Sequence, residues 1–229
     1  MRFDSLVEAR FIRRLNRFGA LVDMGGGESY IHVANSGRMR ELLVEGRRVL
    51  LKPAVGGGSR KTAFDLALVD LGYTLASADA RLPSLLVYEA LKEQRLPQFG
   101  RYDVFFREAT YGESRLDMAL GGPEGTCYLE TKSVTLVVDG IGLFPDAPTG
   151  RGRKHMGSLS KAARVGHRAA VVFVVQREDA QAFAPNDEAD PQFGVALRQA
   201  VRDGVEAYAY GCHVTTREIV LAGQLPVRL

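Results

Sequence analysis

Asp117 in SRLDMAL, and Glu130 and Lys132 in YLETKS, are the residues whose types and spacing could do chemistry. Side chains alternate across a strand, so Glu130 and Lys132 project from one face of theirs. If the preceding strand pairs with it, Asp117 joins them. Two carboxylates with water around them suit a hard, oxygen-seeking cation such as Mg²⁺ or Mn²⁺. Such a cation polarises a phosphodiester and lowers the pKa of an attacking water. A lysine beside it offsets charge developing on the phosphate. An Asp followed thirteen residues later by Glu-x-Lys is a loose pattern, and surface salt bridges produce it too. Its setting favours the chemical reading: Leu116, Met118 and Leu120 are expected to pack one face and leave Asp117 on the other. Glu89, on the helix ahead of these strands, is a fourth candidate ligand for the same metal. A solvated helical carboxylate reads equally well there, and Glu113 is its rival. Arg151, Arg153 and Lys154 begin a basic segment with no acid near them in sequence, which suits contact with phosphates; a solvated helix end is the alternative. Of the four histidines only His155, beside Lys154, could belong to such a site. HExxH, P-loop and GxSxG patterns are all missing.

The elements that must position these groups follow from periodicity. Residues 1–80 read as short strands and turns: GALVDM, a Gly25–Gly27 turn, ESYIHVAN, RRVLLKPAV, a Gly56–Gly58 turn, RKTAFDLALVDL with alternating apolar positions, and GYTLAS. SGRMRELL allows a helical turn or two. About five short strands in this length suggest a small closed barrel, which removes exposed sheet edges. The pattern changes near residue 80. Leu85, Leu86, Tyr88, Ala90 and Leu91 recur with helical spacing after Pro83, and Pro97 ends that helix. Strands are expected at DVFFREATY, SRLDMAL and TCYLETKSVTLV, a helix at RGRKHMGSLSKAARVG, and a strand buried on both faces at RAAVVFVVQ. PQFGVALRQAVRDG reads as a helix and VEAYAYGCHV as a last strand. Helix, three strands, helix, strand is an order that metal-dependent nucleases use. The chain therefore divides into an expected barrel over 1–80 and an α/β domain over 81–229.

With 229 residues and 46% hydrophobic content the chain can bury a real core. No apolar run approaches the roughly 20 residues that span a bilayer, and the charged N-terminus is unlike a secretory signal. Cys127 and Cys212 stand in no metal spacing and read as buried free thiols. These features point to a soluble cytoplasmic protein without a membrane partner. The net charge of +3 lies wholly in the first 80 residues, which carry twelve Lys/Arg and nine Asp/Glu; residues 81–229 carry eighteen of each. Two stretches lack acids altogether: 9–22, with Arg10, Arg13, Arg14 and Arg17, and 147–177, with seven Lys/Arg. Such runs suit a polyanion, with a solvated surface as the bland alternative.

At this point the chain resembles the sugar fermentation stimulation protein A (SfsA) family over essentially its whole length, through IHVANSGRMRELL, YGESRLDMAL, CYLETKSVTLV, LFPDAPTGRGRKHMGSL, GHRAAVVFVVQRED and AFAPNDEADPQF. The resemblance implies an N-terminal OB-like barrel followed by an α/β domain with a mixed central sheet, similar to the PD-(D/E)xK nuclease superfamily. It implies binding to DNA without sequence preference and a link to regulation of sugar (maltose) utilisation. It carries the nuclease motif onto Asp117, Glu130 and Lys132, with Glu89 as the helix acid. Ala34-Asn35-Ser36-Gly37 and Ser84 depart from the family's usual residues, which bears on turn geometry rather than on chemistry. The expectation is a DNA-binding protein, RNA remaining open. Arg13, Arg14, Arg17 and Arg38 of the barrel, with Arg151, Arg153 and Lys154, grip the phosphate backbone, and the acids hydrolyse a phosphodiester with Mg²⁺ or Mn²⁺. The alternative is a non-catalytic DNA-binding regulator with a vestigial site. A carbohydrate-binding protein is a third reading, and the absence of Trp for sugar stacking counts against it.

Overall fold

The computed structural model describes residues 1–54 and 62–229. The expected Gly56–Gly58 turn lies outside the described residues.

Six strands build the N-terminal barrel: β1 (Val7–Asn16), β2 (Gly19–Asp23), β3 (Glu28–His32), β4 (Arg48–Pro53), β5 (Phe64–Asp70) and β6 (Leu75–Ser77). β1 pairs antiparallel with both β2 and β4, β5 pairs with β4 and β6, and a parallel bridge between His32 and Asp65 closes β3 onto β5. The result is the closed OB-like barrel. β1 is an addition to the expected strands. Ala9 and Phe11 point into the barrel core with Val22, Ile31, Met39, Leu51 and Leu66. The arginines between and after them had masked the alternation. SGRMRELL makes a single turn, with the Leu42 and Leu43 amides donating to the Met39 carbonyl. β5 departs from expected half-burial: its five central residues, Asp65–Val69, are all buried. Leu66 and Val69 face the barrel core, while Ala67 and Leu68, with Leu50 of β4, pack against the first helix. That shared apolar layer joins the barrel to the rest of the chain.

The second part is a mixed sheet with helices on both faces. Its strand order is β15–β14–β12–β9–β8–β7, from β7 (Val104–Tyr111), β8 (Ser114–Gly122), β9 (Gly125–Val134), β12 (Arg168–Val175), β14 (Glu206–Val214) and β15 (Ile219–Leu225). β12 runs parallel to both β9 and β14, and seven of its eight residues are buried, as its apolar run implies. β15 extends the sheet beyond the strand expected to be last. A small sheet of β10 (Leu136–Val138), β11 (Ile141–Phe144) and β13 (Ala182–Pro185) lies beside it. α1 (Leu82–Lys92) packs on one face through Leu86, Val87 and Leu91, against Met118, Leu129 and Val172. α2 (Gly150–Arg164) and α3 (Pro191–Arg202) pack on the other through Met156, Leu159, Phe193 and Leu197, against Val171 and Phe173. Among the described residues no helix is long and apolar enough to cross a membrane.

Candidate active site

The β8–β9 ladder runs in register from Gly122↔Gly125 to Met118↔Leu129 and stops there. One residue further, side chains take over from backbone pairing. The Thr131 amide donates to Asp117 Oδ2 at 2.7 Å, the Thr131 hydroxyl donates to the same oxygen at 2.5 Å, and the Asp117 amide donates to Glu130 Oε2 at 3.3 Å. The strands thus splay where the two acids face each other. The splay also revises the expected packing of β8. Met118 and Leu120 face α1, but Leu116 turns into the core under α2 and α3.

Glu130 and Lys132 lie on the α2 face of β9, both buried. Glu130 Oε1 is in contact with the Lys132 ammonium and with Nδ1 of His155. On the far side of the imidazole, Arg151 Nε donates to Nε2 at 3.4 Å. A ring accepting at Nε2 carries its proton on Nδ1, so the network assigns the donor toward Glu130. Arg151 and His155 stand four residues apart on the first turns of α2, and Thr149 caps that helix by accepting from the Gly152 amide at 3.0 Å. His155 therefore belongs to the site.

The two carboxyls sit in opposite electrostatic settings. Burial pushes Asp117 up, and the charge on Glu130 pushes it further, against the two Thr131 bonds. Burial also pushes Glu130 up, but Lys132 and His155 outweigh it and hold the group below the ordinary glutamate range. Two acids pulled apart in this way are a common mark of functional sites. Asp117 is thus a half-buried acid whose direct hydrogen-bond donors come from Thr131 and not from a cation.

These groups form one wall of a cavity of about 650 Å³ between the barrel and the sheet. The opposite wall carries Arg17, Phe18 and the 35–37 loop of the barrel; residues 143–151 and Ser84 close the ends. The 35–37 and 144–149 loops touch: the Met39 amide donates to Asp146 Oδ2 at 3.0 Å, and a Cβ on Gly37 would stand 2.5 Å from that oxygen. A larger residue at 37 would have to displace the Asp146 carboxylate that accepts from Met39.

Glu89 is elsewhere. Its helix packs on the other face of the sheet from Glu130 and Lys132, and its carboxylate pairs with the Met1 amino group at 3.2 Å. The expected phosphate-binding residues divide. Arg13, Arg17, Arg38 and Arg151 are exposed and make no ion pair among those of the described residues. Arg14 turns inward and donates to five backbone carbonyls. Arg153 binds the buried Asp190 at 2.7 Å, and Lys154 stands 3.6 Å from Glu113. The absence of nearby acids holds along the chain but not in space: Arg164, Arg168 and Arg177 likewise pair with Asp203, Glu206 and Asp179. Sequence reasoning passed over Thr131, Asp146 and Phe18. Thr131 was open to discovery as the middle residue of Glu-x-Lys, and Asp146 lies in the unusual LFPDAPTGRGRKH run.

Residues 12–77 match the SfsA N-terminal OB domain, and residues 81–218 match the sugar fermentation stimulation protein RE domain. The chain belongs to the sugar fermentation stimulation protein family. A homologue from Caldanaerobacter subterraneus subsp. tengcongensis is 44% identical over 226 residues, covering 99% of this chain and 98% of its own length. One from Chloroflexus aggregans is 48% identical over 222 residues, covering 97% and 85%. Among solved structures, Pyrococcus furiosus SfsA in complex with Ca²⁺ superposes with a TM-score of 0.93 at 32% identity, covering 100% of this chain and 98% of that one. A divalent cation therefore binds a close structural relative in this family.

Proposed function

We propose that this protein binds nucleic acid, chiefly DNA, through its phosphates and hydrolyses a phosphodiester at Asp117, Glu130 and Lys132 with Mg²⁺ or Mn²⁺. The observation that carries this reading is the meeting of a buried glutamate, a half-buried aspartate and an ammonium, from adjacent splayed strands, on the wall of one arginine-flanked cavity. The donor set fits a hard cation. Asp117 Oδ2 holds both Thr131 bonds, and none is described to Oδ1. Among the described residues no three His, Cys, Asp or Glu side chains converge as a ready ligand cluster. Two carboxylates leave the remaining positions to water and phosphate oxygens, which is how Mg²⁺ usually binds.

Asp117 Oδ1 and Glu130 Oε2 would hold the cation, which supplies Lewis acidity and a water of lowered pKa when bound. Thr131 fixes the Asp117 rotamer. His155, oriented by Arg151, fixes Glu130. Lys132 places its charge where a phosphorane-like transition state accumulates negative charge. Arg17, on the barrel wall, and Arg151, at one end of the cavity, hold the phosphates, fixing position and not sequence. Two modules, the barrel over 1–80 and the α/β domain over 81–229, divide gripping from chemistry in this reading. The family's name supports a role connected with sugar utilisation.

Incubation with DNA or RNA in Mg²⁺ or Mn²⁺ tests the proposal, with Asp117→Asn and Lys132→Ala as controls. Cleavage in the native chain that both substitutions abolish is the expected result. Cleavage that persists in the controls, or none on any substrate, refutes hydrolysis at this centre. One observation favours the non-catalytic reading: Glu130 Oε1 is already shared by Lys132 and His155. Under that reading, nucleic-acid affinity survives Asp117→Asn unchanged and no cleavage occurs.

A further inference from the structure

The cavity does not end at the acids. A second hollow of about 890 Å³ runs over the barrel, and Arg17, Ser36, Gly37, Ala147 and Pro148 line both. The two are one groove. Arg13, Arg17, Arg38 and Arg40 stand along its barrel end, all exposed, and none makes an ion pair among those of the described residues. Three of the five basic residues of α2 contrast with them, since Arg153, Lys154 and Arg164 are spent on acids.

Where the arginine track enters the acid cavity stands an aromatic ring. Phe18, on the β1–β2 turn, is 48% exposed and lines the acid cavity. It is outside the barrel core, yet it is held firmly. Its amide donates to Asn16 Oδ1 at 2.9 Å, its carbonyl accepts from the Val33 amide at 2.9 Å, and its ring lies against His32 at 6.3 Å and 27°. A lone exposed apolar side chain needs no explanation. A backed ring on the wall of a charged cleft, across from two carboxylates and an ammonium, is a different object. In a duplex the faces of the bases are occupied by their neighbours, so such a ring can be used only by an unstacked base. A charged track for the backbone with an aromatic platform beside it is how sequence-tolerant proteins hold single strands.

We propose that the ligand of this groove is a single-stranded nucleic acid, whose backbone follows Arg13, Arg17, Arg38 and Arg40 and whose base stacks on Phe18 as the strand enters the acid cavity. This rests on the nucleic-acid reading above and narrows it. Phe18 is a positioning residue, since it orients the strand and touches no reacting phosphate.

The test is fluorescence anisotropy with the full chain at one fixed salt concentration. The probes are labelled oligothymidylate and oligouridylate of about a dozen nucleotides, within the span that such barrels cover, and a duplex of equal length. Phe18→Ala is expected to weaken single-strand binding by about five- to a hundredfold, the range for losing one stacked base, and to leave the duplex within about twofold. Loss on the DNA strand, the RNA strand or both supports the platform, and the pattern assigns the sugar. Phe18→Trp supplies the chain's only tryptophan; single strands should quench it, with affinity retained. Equal loss for strand and duplex, or no loss on any probe, overturns the proposal, as does an unquenched tryptophan under saturating strand. The outcomes separate from those of the cleavage assay. Stacking on Phe18 without cleavage leaves the ligand assignment standing and removes only hydrolysis, while cleavage with no Phe18 effect does the reverse.

Discussion

Arg14 offers the sharpest test of how the barrel's arginines divide between scaffold and ligand. Its guanidinium is half-buried and donates from Nε to the Asn16 carbonyl at 3.1 Å, from Nη1 to the carbonyls of Gly37 and Arg38, and from Nη2 to those of Arg17 and Asn35. One planar fork thus ties the end of β1 to the β1–β2 turn and to the 35–38 loop, the segments that carry Phe18 and the groove wall. Desolvation holds its pKa below the usual arginine value, which fits a structural role. In Arg14→Ala, water replaces the exposed bonds at little cost, but those to Gly37 and Asn35 are partly buried. A hydrogen bond to a charged group contributes about 1.5–3 kcal/mol, so the low end for two gives a loss of about 3 kcal/mol. For a chain of this size that lowers Tm by about 6–12 °C. Arg14→Lys keeps the charge but not the fork, and should recover less than half of the loss. Thermal unfolding followed by circular dichroism measures this. The salt dependence of oligonucleotide affinity supplies the second readout. Because the guanidinium faces backbone carbonyls, Arg14→Lys should leave the slope unchanged, whereas Arg38→Ala should reduce it by about 0.9. A Tm within about 2 °C of the native value in Arg14→Ala, with a reduced salt slope, would show a phosphate ligand and refute the scaffold argument.

Three further outcomes follow from the same geometry. The Asp117 carboxyl is raised in the folded state, so the fold holds its proton more tightly than the unfolded chain does, and the charged form costs stability once the pH exceeds that raised value. Asp117→Asn should therefore raise cation-free stability at neutral pH and abolish the Tm increase expected of the native chain with Mn²⁺; a lower cation-free Tm would overturn this. Glu130 is lowered, so its contribution is present above the ordinary glutamate range and is lost as the pH falls through its folded value. The stability gap between native chain and Glu130→Gln should close in acid, and urea titrations at several pH values would detect a gap that does not. Burial pushes the Cys127 thiol up to about 12, so a thiol reagent should leave it unlabelled until the chain unfolds, as mass spectrometry would show.

Most of the architecture was legible because its signals are local. The apolar run at Arg168–Val175, the spacing in α1 and the Gly25–Gly27 turn each report on their own neighbourhood. β1 escaped because only Ala9 and Phe11 of its ten residues are buried, and alternation is weak when inward positions are so few. β5 misled in the opposite sense: it is apolar on both faces because a second core, shared with α1, lies outside the barrel. Nothing in FDLALVD announces a partner that begins a dozen residues later. β11 and β13 are four residues each and pair across about forty residues, so neither has a period long enough to read.

The candidate site shows why side-chain chemistry is harder to read than strands. Asp117, Glu130 and Lys132 could be grouped because two adjacent strands fix their relation. Glu89 could not be placed, since helical spacing says nothing about which face of the sheet a helix will cover, and α1 covers the face opposite Glu130. Charge was misleading for a related reason. Linear counting finds seven basic residues without an acid between 147 and 177, but five of them meet acids contributed by the β7–β8 turn, α3 and its flanks, β14 and the loop after β12. Long-range pairing takes up Arg153, Lys154 and Arg164 of α2 and leaves unpaired charge at Arg151 and along the barrel, beside Phe18. The sequence excess of +3 in the first 80 residues had that asymmetry in it, and the fold converts it into direction: an anion drawn to the barrel track is led toward the two carboxylates, where only a bound cation can make its approach favourable. If that is the arrangement at work, saturating divalent cation should tighten oligonucleotide binding in the native chain and have no such effect in Asp117→Asn. Tightening of the same size in both would place the cation elsewhere on the molecule.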